Sequence, residues 1–102
     1  MSELPREESF DSSLLNEVKL FLRITWDDDS TNEQMNNLIN EAKGYLQGDN
    51  CAGTEIDFDE DLQARRLLKE YCRYTYNYSF EYFQENFKSE LWSLVLRYAD
   101  KE

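Results

Sequence analysis

The side chains that could support chemistry in this chain are carboxylates and two cysteines, because the sequence contains no histidine. Imidazole is the commonest general base and the commonest zinc ligand, so its absence argues against hydrolytic and zinc-dependent catalysis. Cys51 and Cys72 form no CxxC motif. We expect both to be reduced thiols, and a disulfide between a loop and a helix is the alternative.

An acidic run at residues 57–61, with the sequence DFDED, resembles the beginning of a calcium-binding EF-hand loop. That loop needs glycine at its sixth position and glutamate at its twelfth, where this chain has Leu62 and Leu68. We therefore expect Asp57 or Asp59 to cap a helix. No carboxylates are spaced as a catalytic pair, and the glycines are too scattered for a phosphate-binding loop. The sequence predicts no enzymatic activity, no cofactor and no metal.

A line of basic residues could form a binding surface. Arg65, Lys69 and Arg73 recur at i, i+4 and i+8, with Arg66 beside them, so a helix would place them on one face. One interpretation is a solvated face with local pairs such as Arg66–Glu70. A second is a docking surface for the acidic N-terminal part of another copy. A nucleic-acid-binding stripe is the weakest interpretation, because the molecule as a whole is acidic.

The net charge of −11 is unevenly placed along the chain. Residues 1–60 carry 15 acidic and 4 basic side chains, whereas residues 61–102 carry 7 of each. Non-specific binding to nucleic acid needs Lys and Arg to displace counterions, so it is disfavoured here. Solubility explains the acidity equally well. Opposite charges on two faces would favour a head-to-tail contact, which closes a ring if the rotation permits.

Hydrophobic periodicity predicts an all-α fold, a small bundle of about four helices with a long loop between helices two and three. We expect a flexible acidic N-terminal tail over residues 1–11 and one helical domain over residues 12–102. Helices are predicted over 13–23, 31–47 and 60–77, with a fourth reaching Tyr98. Ser30 and Glu33 fit a capping box for helix two. The break before helix four is weakly marked, so one long bent helix is an alternative.

Aromatic residues are concentrated near the C-terminus, with ten between Tyr71 and Tyr98. A single apolar stripe cannot bury them all, and tyrosine and tryptophan are enriched at protein interfaces. Some of these side chains are therefore expected to face a partner. The candidates are those that fall off the main stripes: Tyr74, Tyr76, Tyr82 and Trp92.

Two segments of the chain resemble the small head–tail connector proteins of tailed bacteriophages and prophages. The first, residues 14–48, has a short helix, an acidic loop at Asp27, Asp28 and Asp29, and a second helix with an Ala–Tyr–Leu ending. The second, residues 65–99, is similar to the Arg- and Tyr-containing end of that family. Asn16 departs from the family's acidic pair. The matching helix positions are Leu15, Glu17, Val18, Lys19, Leu22, Arg23, Ile24, Leu38, Ile39, Ala42, Tyr45 and Leu46.

The resemblance implies a structural virion protein that forms a ring, usually dodecameric, below the phage portal protein. The ring would extend the DNA channel and meet a stopper or tail-completion protein, and DNA would pass without specific binding. The implied location is the head–tail junction of the virion, with the host cytoplasm during assembly and no membrane contact.

Three sets of site residues follow from this resemblance as hypotheses. The basic line would meet a neighbouring subunit, the acidic loop would line the channel or dock a partner, and the C-terminal helix would face the portal. The sets are Arg65, Arg66, Lys69 and Arg73; Asp27, Asp28 and Asp29; and Trp92, Arg97 and Tyr98.

Two other functions use the same features. A small inhibitor that mimics DNA would present its carboxylates along one continuous face to a basic enzyme groove. A helical regulatory module would dimerise through the aromatic helix and form no larger ring.

Overall fold

The computed structural model describes the backbone of residues 6–99 and the side chains of residues 14–99. This part of the chain is all-α, as predicted, and none of its helices has the length and apolar character of a membrane span. It forms five helices rather than about four, because a bend at Phe87 divides the predicted last helix. They are α1 (Arg6–Phe21), α2 (Asp29–Gln47), α3 (Leu62–Tyr76), α4 (Phe80–Asn86) and α5 (Lys88–Ala99).

The central element is α3, which packs against each of the other four helices. Its apolar side chains recur at steps of three and four, and Ala64, Leu67, Leu68 and Cys72 have no solvent exposure. This confirms the predicted stripe on α3. The stripe ends earlier than predicted, because Tyr78 is 94% exposed beyond the end of the helix.

Six aromatic rings pack where α2, α3 and α4 meet. Phe83 is fully buried at their centre, with ring centroids of Phe87 at 5.3 Å, Tyr71 at 5.6 Å and Phe80 at 5.8 Å. Tyr45 and Tyr74 complete the cluster at 6.1 Å each. Several of these pairs meet edge to face, which suits the quadrupole of aromatic rings. The core therefore holds about half of the aromatic excess.

The long loop between α2 and α3 is packed into the core rather than lying on the surface. Cys51, Ile56 and Phe58 are buried, and the backbone N–H of Ile56 donates to Gln47 Oε1 at 2.8 Å. A buried loop must satisfy its polar backbone groups, and the side chain of Gln47 supplies one acceptor. The loop therefore forms part of the main hydrophobic core of the described residues.

Three predicted helix starts are corrected by the structure. α1 begins at Arg6, within the expected tail, because Arg and Glu at residues 6–8 are strong helix formers. α2 is capped by Asp28, whose Oδ1 accepts the N–H of Thr31 at 2.7 Å, and not by Ser30. α3 is capped by Asp61 rather than Asp57 or Asp59. A carboxylate suits these sites because the positive end of the helix dipole favours negative charge. Residues 1–5 of the predicted tail lie outside the described residues.

Two helices end in Schellman motifs with a side chain where glycine is usual. After α3, the N–H of Ser79 donates to Tyr74 O at 2.8 Å, and Tyr78 adopts φ 58°. After α1, the N–H of Ile24 donates to Lys19 O at 2.8 Å, and Arg23 adopts φ 64°. Glycine normally occupies such left-handed positions. The α3–α4 break is therefore real, and the alternative of one long bent helix is wrong.

Replacing Tyr78 with glycine should stabilise the protein. Glycine removes a left-handed strain of about 1–2 kcal/mol and costs about 0.5–1 kcal/mol in chain entropy, so we expect a net gain of about 0.5–1 kcal/mol. Urea unfolding of the Tyr78→Gly variant measures this gain. Tyr82→Gly is the matched control. Tyr82 is half-exposed inside α4, so this substitution should destabilise the protein. A loss of stability in Tyr78→Gly would contradict the strain argument.

Candidate interaction surfaces

Two residues of the predicted basic line lie against α1 and the long loop. Arg65 Nε donates to Glu17 Oε1 at 2.9 Å, and Arg65 Nη1 donates to Asp59 Oδ1 and to the Phe58 carbonyl, both at 3.1 Å. Lys69 Nζ lies 3.0 Å from Glu17 Oε2. The side chains of Arg65 and Lys69 are only 14% and 23% exposed. The hydrogen bond from Arg65 lowers the pKa of Glu17, so its carboxyl is ionised when the pairs form.

The other two basic residues are more exposed. Arg66, with its side chain 56% exposed, donates to Glu90 Oε1 on α5 at 2.7 Å. Arg73, 45% exposed, pairs with Glu70 at 2.7 Å and lies over the ring of Tyr74 at 5.0 Å. The expected Arg66–Glu70 pair is therefore wrong, because each residue has another partner. The predicted subunit interface stays a prediction, and only Arg66 and Arg73 are accessible enough to carry it.

The acidic loop joins α1 to the start of α2. Lys19, which is 7% exposed, donates to Asn32 Oδ1 at 2.8 Å and to Asp27 Oδ1 at 3.2 Å. Asn32 Nδ2 donates to the same Asp27 oxygen at 2.8 Å, and this bond lowers the pKa of Asp27. Asp28 caps α2, and Asp29 is exposed in its first turn. Two of the three aspartates, Asp27 and Asp28, therefore accept hydrogen bonds that hold the loop against α1 and α2.

At the C-terminal helix, Arg97 and Tyr98 turn towards the start of α3. Arg97 Nη2 donates to both carboxylate oxygens of Asp61, at 2.9 and 3.0 Å, and the Tyr98 hydroxyl donates to Asp61 Oδ2 at 2.5 Å. Burial alone would raise the pKa of Asp61, but hydrogen bonds from Tyr98, the Ala64 N–H and Arg97 lower it. Burial, together with Asp61, raises the pKa of Tyr98 to about 12. This cluster locks α5 to α3.

Trp92 lies on a different face of α5 from Arg97 and Tyr98. It is 62% exposed, and Leu96, one turn later, is 50% exposed. The inner face of α5 is also apolar, with Leu94 fully buried and Tyr98 at 9%. Beside Trp92 lies a groove of about 510 Å³ between α5 and the end of α2. Of the three residues predicted to face the portal, Trp92 is exposed with no polar partner among the described residues, Arg97 is exposed but paired with Asp61, and Tyr98 is buried.

Both cysteines of the chain are buried in the fold. Burial raises the pKa of Cys72 to about 12 and also raises the pKa of Cys51, and both are free, buried thiols. A protonated, inaccessible thiol is a poor nucleophile. Within the part of the chain that the structure describes, no three or more Cys, Asp or Glu side chains are grouped as metal ligands.

Sequence reasoning missed Glu17 and Asp61 as partners of the basic residues, and it missed Leu96 and Tyr45 beside Trp92. For Leu96 a signal was present, since Trp92 and Leu96 are at i, i+4 on a helix with another apolar stripe. For Glu17 and Asp61 no local signal exists, because Arg65 lies 48 residues from Glu17 and Arg97 lies 36 residues from Asp61.

Comparison with known proteins leaves the family open. No protein-family model matches the chain. Searches of curated proteins and of solved structures also find no match. Function therefore has to be argued from the residues and surfaces described above.

The Glu17 pairs should contribute measurably to stability. In Glu17→Gln, Arg65 and Lys69 remain largely buried without a full counter-charge, and we expect a loss of about 1–3 kcal/mol in the free energy of unfolding. Urea unfolding at pH 7 measures it. Glu33→Gln is the matched control, because Glu33 is exposed on α2 and should change stability by less than about 0.5 kcal/mol. Equal effects of the two substitutions would contradict the role of Glu17.

The hydrogen bonds from Arg97 and Tyr98 to Asp61 should make the stability of the protein depend on pH. Because the pKa of Asp61 is lowered by folding, its contribution is present above the ordinary value of 3.8 and lost as pH falls through the lower folded value. Asp61→Asn keeps a good capping residue but should cost about 1–2 kcal/mol at pH 7. Unfolding curves from pH 7 to pH 2 should show this difference from wild type shrinking with acid. A difference that stays constant would mean that the ionised carboxylate is not responsible.

Proposed function

We propose that this protein is a structural assembly protein of the head–tail connector kind, which joins the head of a tailed phage to its tail. The observation that carries the proposal is the second apolar face of α5. Trp92 and Leu96 are exposed on it although the helix already buries Leu94 and Tyr98 on the other side. A second exposed apolar face on a helix that already packs on the core supports a protomer whose surface another protein chain completes.

We assign two sets of exposed side chains to different contacts of the assembly. In the proposed assembly, Trp92 and Leu96 contact the portal protein, and Arg66 and Arg73 face the neighbouring subunit of a ring. Arg65 and Lys69 are assigned to the interior of the protomer, because they hold α1 and the long loop. The stopper or tail-completion protein would bind the opposite end of the ring.

The net charge of −11 fits a channel that DNA must pass. An acidic wall displaces no phosphate counterions, so DNA slides along it without being held. Asp29 and other exposed carboxylates of the N-terminal half would supply that wall. The proposed location is the head–tail junction of the virion, and the resemblance of residues 14–48 and 65–99 to connector proteins adds to this proposal.

Co-sedimentation with the portal ring encoded by the same genome, followed by negative-stain imaging, tests the function. We expect the protein to pellet with the portal and a second ring to appear stacked on it. The double variant Trp92→Ser with Leu96→Ser should lose about tenfold or more in portal affinity, since buried aromatic anchors dominate interfaces. Leu20→Ser is the matched control, because Leu20 is 76% exposed on α1.

Protein that stays soluble while the portal pellets would count against the connector function. Binding to a basic nucleic-acid enzyme instead would favour a DNA mimic. A dimer that forms no larger ring would favour a regulatory module.

A further inference from the structure

The groove between α2 and α5 combines an apolar floor with an open mouth. Its volume is about 510 Å³, and Tyr45, Leu91, Trp92 and Val95 provide the apolar lining. Leu91, Val95 and Tyr45 are partly buried, whereas Trp92 stands 62% exposed at the edge. Gln84 Nε2 donates to the Tyr45 hydroxyl at 2.8 Å, so the ring of Tyr45 is fixed in position. The groove is therefore preformed and large enough for bulky apolar side chains.

The charges around this groove are mainly negative. Glu85 and Lys88 line it and offset each other. Glu41 and Glu81 lie one helical turn before the lining residues Tyr45 and Glu85, and Asp49 precedes the lining residue Asn50. All three carboxylates are exposed. Lys43, the remaining charged residue in the second half of α2, lines a different cavity beside Arg65. The rim thus complements a positively charged partner.

A second copy of the chain fits this groove poorly. In the proposed ring the exposed Arg66 and Arg73 belong to a different subunit contact, so a second copy would bring mainly carboxylates to this acidic rim. Like charges brought together across an interface weaken binding and slow the encounter. A cationic partner would bind more tightly and associate faster, because complementary potentials accelerate association and fix the register.

We propose that the groove binds a cationic amphipathic helix of a partner protein. Large apolar side chains of that helix pack on Trp92 and Tyr45, and its lysines or arginines face Glu81, Glu85 and Asp49. A groove between two helical walls suits this mode, in which one apolar face of a helix enters and the polar face remains in water. This proposal rests on the proposed function only because both use α5. It adds the chemistry of the partner segment that binds at this groove.

The test uses the full chain and a synthetic amphipathic helical peptide of leucine and lysine, with a leucine and glutamate peptide of the same pattern as its counterpart. Isothermal titration calorimetry at low salt measures the affinities. We expect the lysine peptide to bind with one-to-one stoichiometry and the glutamate peptide not to bind. Trp92→Ser and Glu85→Lys should each weaken binding about tenfold.

Glu33→Lys is the matched control for Glu85→Lys, because it makes the same charge change at an exposed site on the first half of α2. It should weaken binding less than about threefold, through the net charge alone. Equal weakening by the two substitutions would overturn the proposal in favour of non-specific attraction to an acidic protein. Tight binding of the glutamate peptide would also overturn it. So would a dimer of the protein alone that Trp92→Ser abolishes, since a second copy would then be the occupant.

The portal experiment and the peptide experiment can fail separately. Specific peptide binding without a stacked ring would leave the groove assignment standing and reject the connector function. A stacked ring that Glu85→Lys does not weaken, with no peptide binding, would support the connector function and reject the groove assignment.

Discussion

Burial of α3 on several sides is the constraint on which the rest of the structure depends. Every other helix packs on it, so its surface has to serve several neighbours at once. Its apolar stripe meets the aromatic rings around Phe83, its basic edge meets Glu17 of α1, and its N-terminus holds α5 through Asp61. A helix in such a position cannot also offer a continuous binding face. This explains why two of the four residues of the basic line, Arg65 and Lys69, are paired with carboxylates inside the protomer.

The internal ion pairs also affect the charge of the accessible surface. Arg65, Lys69 and Lys19 are all largely withdrawn from solvent by carboxylate or amide partners. In the C-terminal half, the largely buried Asp61 and Glu70 offset the withdrawn Arg65 and Lys69, so the acidity of the exterior comes from the N-terminal part of the chain. An acidic exterior repels most other acidic proteins, which is consistent with the proposed selection of a cationic partner at the exposed apolar face of α5.

Two features of the fold reduce stability without an evident structural benefit. Tyr78 occupies a left-handed position that glycine would fill without strain, and its ring is 94% exposed. Trp92 and Leu96 leave apolar area in water. Natural proteins commonly retain such costs where a surface binds another molecule. The two features lie on different elements, so a protomer with more than one contact surface would account for both.

The sequence alone determined the helical class, the apolar stripe of α3 and the uneven charge. Each depends on composition or on spacing within one helix, where a period of 3.6 residues is a local property. The tertiary structure decided the helix breaks at Tyr78 and Phe87, which no glycine or proline marks. It also decided which charges pair, because Glu17 and Arg65 are 48 residues apart and come together only when α1 packs on α3. Ion pairing across a fold depends on distances in space, and local periodicity carries no information about them.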